Sequence, residues 1–279
     1  MNKVDSHQHF WEYNPRKHSW INDEMEDLRQ DFLPPDLKRN LDEVDMDGCV
    51  AVQADQSLQE TIFLLGLAEK YEYVKGVVGW LDIQADDFEQ QLEHFASHEA
   101  LKGLRHIVQD EPDERYLLRP DFLRGIEQLP DHGLTYDILI YARHLPVAIK
   151  FASKFPDHRF VLDHIAKPDI ADQKIDAWEQ DIRELARHPN IYCKVSGMVT
   201  EADWKSWTPD DFKPYLDVVF DAFGTKRLMF GSDWPVCTLA AKYREVYKLV
   251  SDYTETCTEK EKADFFGENA IRFYGLNNI

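Results

Sequence analysis

A chain of 279 residues, 43% of them hydrophobic and 30% charged, is long enough for one large α/β domain and has ample apolar material for its core. Its net charge of −20 at pH 7 sets it against nucleic acid and anionic membrane, either of which would repel it. No run approaches the ~20 apolar residues of a membrane span. The opening MNKVDSHQHF lacks the apolar stretch of a secretory signal, so the expectation is a cytoplasmic protein.

In chain order, the pattern alternates short apolar runs with longer amphipathic ones. Strands are expected at Val4–His9, Cys49–Ala54, Val74–Trp80, Leu101–His106, Thr135–Ile140, Arg159–Ile165, Ile191–Val195 and Leu228–Gly231. After the first strand, Phe10–Lys38 carries three prolines, two tryptophans and mixed charge, and reads as a lid-like insertion on the substrate side. Ser57-Leu-Gln-Glu60 opens a helix to about Tyr71 with Ile62, Leu65 and Ala68 at helical spacing. Further helices are expected near Asp86–Ser97, Asp121–Leu129, Leu145–Phe155, Asp176–Ala186 and Asp211–Phe223, with Pro156, Pro189 and Gly224 ending three of them. The Thr258–Tyr274 segment is expected to be a helix packed across the outside of the domain. Four scattered cysteines without a C-x-x-C spacing argue against a zinc cluster or disulfide framework, and Cys49 and Cys193 read as buried thiols.

Strand and helix alternating eight times imply a parallel sheet closed into a single (β/α)8 TIM barrel spanning 1–279, with its active site at the C-terminal strand ends. An open doubly wound sheet shares the pattern, but the chain has no glycine-rich first turn. Chemistry is therefore sought where strands end. On the first strand, His7 and His9 share a face and can converge on one metal ion or one carbonyl. Two polar residues at a strand end would read the same. His164 ends the sixth run, with Asp163 expected on the opposite side of that strand. Asp233 follows the eighth in Phe230-Gly-Ser-Asp-Trp-Pro235; a carboxylate there can take a proton from water or hold a metal, or serve as a turn residue. The four together come from the ends of three strands, as catalytic groups of such barrels do.

Taken in order, DSHQHFW, GLRHI, VLDHIAKP, YCKVSGM, FGSDWP and FGENAIRFYGL resemble the motifs of the amidohydrolase-2 group of the amidohydrolase superfamily. The resemblance covers nearly the whole chain. It lies nearest the sugar-acid lactonases, such as the L-fucono- and L-rhamnono-lactonases and the 2-pyrone-4,6-dicarboxylate lactonase. It implies that His7, His9, His164 and Asp233 form one site, as a mononuclear zinc or manganese centre or as a metal-free hydrogen-bonded cluster. Two-metal members carry a bridging lysine or glutamate on strand 4 and a histidine on strand 5. Here strand 4 ends Leu104-Arg105-His106 and strand 5 reads Tyr136-Asp-Ile-Leu-Ile-Tyr141, so a binuclear centre is not expected.

The implied reaction is hydrolytic opening of a sugar-acid lactone. Asp233 takes a proton from water and returns it to the ring oxygen, while the histidines polarise the carbonyl. Arg105, His106, Tyr141, Lys167, Lys194 and Ser196 are candidates for hydrogen bonds to substrate, with Arg105 or Lys194 facing the oxyanion; Trp11 and Trp234 are candidates for stacking on a ring. A metal-dependent decarboxylase of the same superfamily and a non-catalytic carbohydrate-binding barrel are the rival expectations. A homodimer is expected on base rates alone.

Overall fold

The computed structural model describes residues 2–277. Eight parallel strands follow one another around the sheet in chain order: β1 Val4–Gln8, β2 Gly48–Val52, β3 Val74–Gly79, β4 Leu101–Ile107, β5 Thr135–Leu139, β6 Phe160–Leu162, β7 Ile191–Val195 and β8 Leu228–Phe230. β8 returns to β1, where Ser6 Oγ donates to the Phe230 carbonyl at 2.7 Å, Asp233 N–H to His7 O at 2.8 Å and His9 N–H to Trp234 O at 2.7 Å. The fold is a (β/α)8 barrel, with every expected strand present and its ends within about three residues of the sequence reading.

The helices are α1 Pro34–Glu43, α2 Leu58–Lys70, α3 Phe88–Ala96, α4 Pro120–Ile126, α5 Leu145–Ala152, α6 Asp176–Leu185, α7 Pro209–Phe223, α8 Tyr243–Tyr253, α9 Glu259–Ala263 and α10 Asn269–Tyr274. Ser57 caps α2 by accepting from Glu60 N–H. α1 and α8 have no counterpart in the sequence reading. Outward-facing strand residues such as Cys49, Leu104, Tyr136, Leu162 and Phe230 pack with the helices into one core. Cys49, Cys193 and Cys237 are buried free thiols. Among the described residues no helix is long and apolar enough to cross a membrane.

The C-terminal segment differs from expectation. Its first part packs on the outside as expected, Phe265 against Phe220 and Phe266 against Phe230 and Tyr247, but α10 turns under the barrel and closes its floor. Ala270, Phe273, Tyr274 and Leu276 pack against the inward-facing Val4, Val50, Val52, Val78, Val161 and Met229. A short run, Asp264–Glu268, links α9 to α10 and brings the Gly267 backbone against Asn2. The floor is thus apolar, and the polar groups lie above it.

Candidate active site

β1 is irregular between Asp5 and Gln8, where three steps along it match two along β2. Val4 points to the floor, Asp5 outward to Tyr243, and His7 and His9 both inward, with their Nε2 atoms 3.3 Å apart. His9 Nδ1 lies 2.7 Å from the Val52 carbonyl, which can only accept, so Nδ1 donates there and Nε2 is left facing the site.

After β6 the chain does not continue as a strand. His164, Ile165, Ala166 and Lys167 all have positive φ, 48–63°, forming a left-handed turn without a glycine. Such a turn costs on the order of 1–2 kcal/mol per residue and persists only where the surroundings hold it. Trp178 Nε1–H donates to Ile165 O at 2.7 Å, and Ser196 Oγ sits 2.9 Å from His164 Nδ1. The turn rotates His164 inward while Asp163 also stays inside, contrary to strand alternation. Asp233, at φ 58°, is held by its N–H bond to His7 O.

These elements converge on one point. Asp233 Oδ1 is 3.2 Å from His9 Nε2 and 3.9 Å from the Nε2 atoms of both His7 and His164. Burial holds the imidazoles of His7 and His164 well below the usual histidine range. At His7, Asp163 opposes that and Lys194 adds to it; at His164, Asp233 opposes it while His7 and Lys167 add. Burial would raise the Asp233 carboxyl, but His164, His9 and Lys167 outweigh it and bring it below its ordinary value. The resting site therefore holds neutral imidazoles at His7 and His164 beside an ionised Asp233 carboxylate.

That is the protonation state a divalent ion requires of its ligands. Donor atoms of His7, His164 and Asp233 all lie within 4.8 Å of one another, with His9 Nε2 beside them. Bonds of about 2.1 Å in a tetrahedron put ligands about 3.4 Å apart; Asp233 lies 3.2 Å from His9 and 3.9 Å from His7 and His164, while His9 stands outside the group whose donors are all within 4.8 Å of one another. The residues fit one ion; they also stand without one, His9 and Asp233 being within direct hydrogen-bond reach. The pairing agrees with one ion and not two: Lys194, rather than a histidine, faces Asp137 and Asp163, and Arg105 closes the other side of Asp163.

Above the cluster is a cleft of about 120 Å³ lined by His9, Trp20, Ala54, Arg105, Ile107, Gln109, Asp110, Leu139, His164, Lys167, Asp233 and Val236. Of the anticipated substrate-side residues, Arg105 and Lys167 reach it. Arg105 donates to Asp163 at 3.0 Å and to Gln53 O, with Nη1 also 3.3 Å from His7 Nε2. His106 turns away, being one residue out of phase on β4; its Nε2 meets Glu111 at 2.6 Å and Tyr116 stacks on its ring. Tyr141 stands at the rim between Arg143 and Lys167. Ser196 supports His164 instead of lining the cleft, Trp11 packs with Trp20 and Phe32, and Trp234 with Phe10 and Phe32. Lys194 is fully buried below His7.

Sequence reasoning missed Asp137 and Asp163, whose signal was a lone charge in an otherwise apolar strand. It also missed Trp20, which the Phe10–Lys38 insertion carries to the cleft. Larger grooves of about 590 and 550 Å³ lie elsewhere, between the end of α2 and the starts of β3 and β4, and between α7 and α8. Among the described residues neither gathers a comparable donor set.

The amidohydrolase family model matches residues 4–276. The chain belongs to the amidohydrolase family. Among curated members, this amidohydrolase is 39% identical to an L-fucono-1,5-lactonase of Burkholderia multivorans, the match covering 98% of this chain and 96% of that one. It is 35% identical to an L-fucono-1,5-lactonase of Burkholderia ambifaria, over 99% and 96% of the two chains. Its backbone matches the crystal structure of a Burkholderia multivorans amidohydrolase with bound zinc at a TM-score of 0.96 and 39% identity, covering 99% of this chain and 100% of that one.

Proposed function

We propose that this amidohydrolase opens a sugar-acid lactone of the L-fucono-1,5-lactone type to the free acid, using Asp233 as general base. One observation carries the reading. In a chain 39% identical to an L-fucono-1,5-lactonase, an ionised carboxylate buried among histidines sits at the base of a cleft of about 120 Å³. A cleft that size, below the usual range for drug-sized ligands, suits one sugar ring and not a polymer. Its lining is two-sided: Arg105, Gln109, Asp110 and Lys167 can bond hydroxyls, while Ala54, Ile107, Leu139, Val236 and Trp20 can meet ring carbons and a methyl group.

Water held by Asp233 attacks the lactone carbonyl as its proton passes to the carboxylate. The carbonyl oxygen gains negative charge, and the Arg105 guanidinium is a buried cation that lines the cleft and can face it. Collapse breaks the bond between the carbonyl carbon and the ring oxygen, and Asp233 returns its proton to that oxygen. The product is a hydroxy acid, which ionises and releases a proton to solvent. A divalent ion, when bound by His7, His9, His164 and Asp233, supplies Lewis-acid polarisation of the carbonyl and a more acidic water.

A panel of aldonolactones followed with a pH indicator tests the reading. Proton release well above spontaneous opening is expected, fastest with 6-deoxy lactones. Release at the spontaneous rate with every lactone, or carbon dioxide evolution from an unsaturated acid instead, would overturn it.

A further inference from the structure

Beneath His7 the barrel holds a buried ion cluster of which only Arg105 reaches the cleft. Lys194 Nζ lies 2.5 Å from Asp137 Oδ2, 3.1 Å from Asp163 Oδ1 and 3.2 Å from His7 Nδ1. Arg105 closes the other side of Asp163 at 3.0 Å. From below, the Tyr274 hydroxyl donates to Asp137 Oδ2 at 2.8 Å, and its ring centre is 5.5 Å from the ammonium. Lys194, Asp137 and Asp163 are all 0% exposed.

Burying such a set costs several kcal/mol per ion, and apolar residues of similar volume commonly serve stability as well or better. Its place, between the floor and the His7 ring, suggests what it does instead. His7 Nδ1 faces both a donor, the ammonium, and an acceptor, Asp163 Oδ1 at 3.3 Å, so the ring is gripped on the side away from the cleft. Its Nε2 is thereby aimed at His9 and Asp233.

We propose that Lys194, Asp137 and Tyr274 are positioning residues for the hydrolytic site: Tyr274 and Asp137 clamp the Lys194 ammonium, which fixes the His7 ring. The C-terminal helix thus completes the active site from the far end of the barrel. The kinetic part of the proposal rests on the lactonase reading; the orientation of the ring does not.

Tyr274→Phe is the mild test, since it removes one hydroxyl and keeps the packed ring. Phe273→Leu is the control: it lies on the same helix and packs on Tyr192 and on the edge of the Tyr274 ring, but leaves the Tyr274 hydroxyl on Asp137 in place. Three readouts are taken: kcat and KM with L-fucono-1,5-lactone, thermal unfolding, and the His7 imidazole 15N signals by NMR. Tyr274→Phe is expected to lower kcat about five- to tenfold with KM within about twofold, and to shift or broaden the His7 signals. Phe273→Leu is expected to lower Tm at least as much while leaving kcat and the His7 signals alone. Unchanged His7 signals in Tyr274→Phe, or equal effects of the two variants on them, would overturn the proposal. Should the wild type open no lactone, the functional reading fails and the NMR comparison still decides the clamp.

Discussion

Gly197 is the position at which one methyl group should disable the site without unfolding the barrel. A Cβ built there lies 2.4 Å from His164 Nδ1 and 2.8 Å from its Cγ, in a backbone with φ of 61°. Two costs follow. A side chain in the left-handed region costs on the order of 1–2 kcal/mol. The imidazole must also retreat by about 1 Å to reach ordinary van der Waals contact. Misplacing a catalytic group by that much costs about 10²-fold in rate. Gly133→Ala separates the two, because Gly133 has φ of 71° and nothing within 4 Å of the added carbon. Both variants should lose roughly 2–6 °C in Tm. Only Gly197→Ala should lose about 10²-fold in kcat for lactone opening, read by proton release. Wild-type turnover in Gly197→Ala, or an equal loss in Gly133→Ala, would refute the placing of His164 in the reaction.

Three further outcomes are expected. Glu60 is an acid pushed up to about 7 by burial, against the lowering by the Ala54 and Asp55 N–H bonds. Being protonated more readily folded than unfolded, it has no net effect below about pH 4.5 and destabilises progressively as pH rises to about 7, by about 3 kcal/mol at the limit. Glu60→Gln should therefore match the wild type in urea denaturation at pH 4 and exceed it at pH 8; the reverse order would contradict the sign. Trp20→Ala, which strips the insertion's contribution to the cleft, should raise KM several-fold with a smaller effect on kcat. A KM that does not move would place the substrate elsewhere. Zinc titrated into chelator-treated protein should bind at about one equivalent, and His7→Ala should abolish that binding; two tight equivalents would contradict a site with Lys194 in place of a second ion.

Much of the barrel was legible because eight apolar strands alternate with amphipathic helices and are bounded by turn residues. His7 and His9 were placed together by strand periodicity alone, despite the irregularity between Asp5 and Gln8, since the extra residue precedes them both. The same periodicity misplaced Asp163. Its neighbour His164 enters a left-handed turn that no glycine announces, so both side chains face inward. Pro168 was the one local hint, because it restrains the residue before it from the right-handed helical region. Lys194 was expected at the rim, yet its long side chain runs inward to Asp137 and Asp163. Pairing those charges required knowing that β5, β6 and β7 are neighbours. The C-terminal helix was recognisable by its aromatic residues, but nothing in one amphipathic face says whether it meets the wall or the floor of a barrel.

The most direct measurement is proton release from L-fucono-1,5-lactone by purified wild-type protein and by Asp233→Asn, side by side, after both give the same far-ultraviolet circular dichroism. The account predicts rapid turnover by the wild type and, for the variant, a loss of at least about 10²-fold. Equal rates in the two proteins, or a wild type no faster than the lactone opening by itself in buffer, would contradict it.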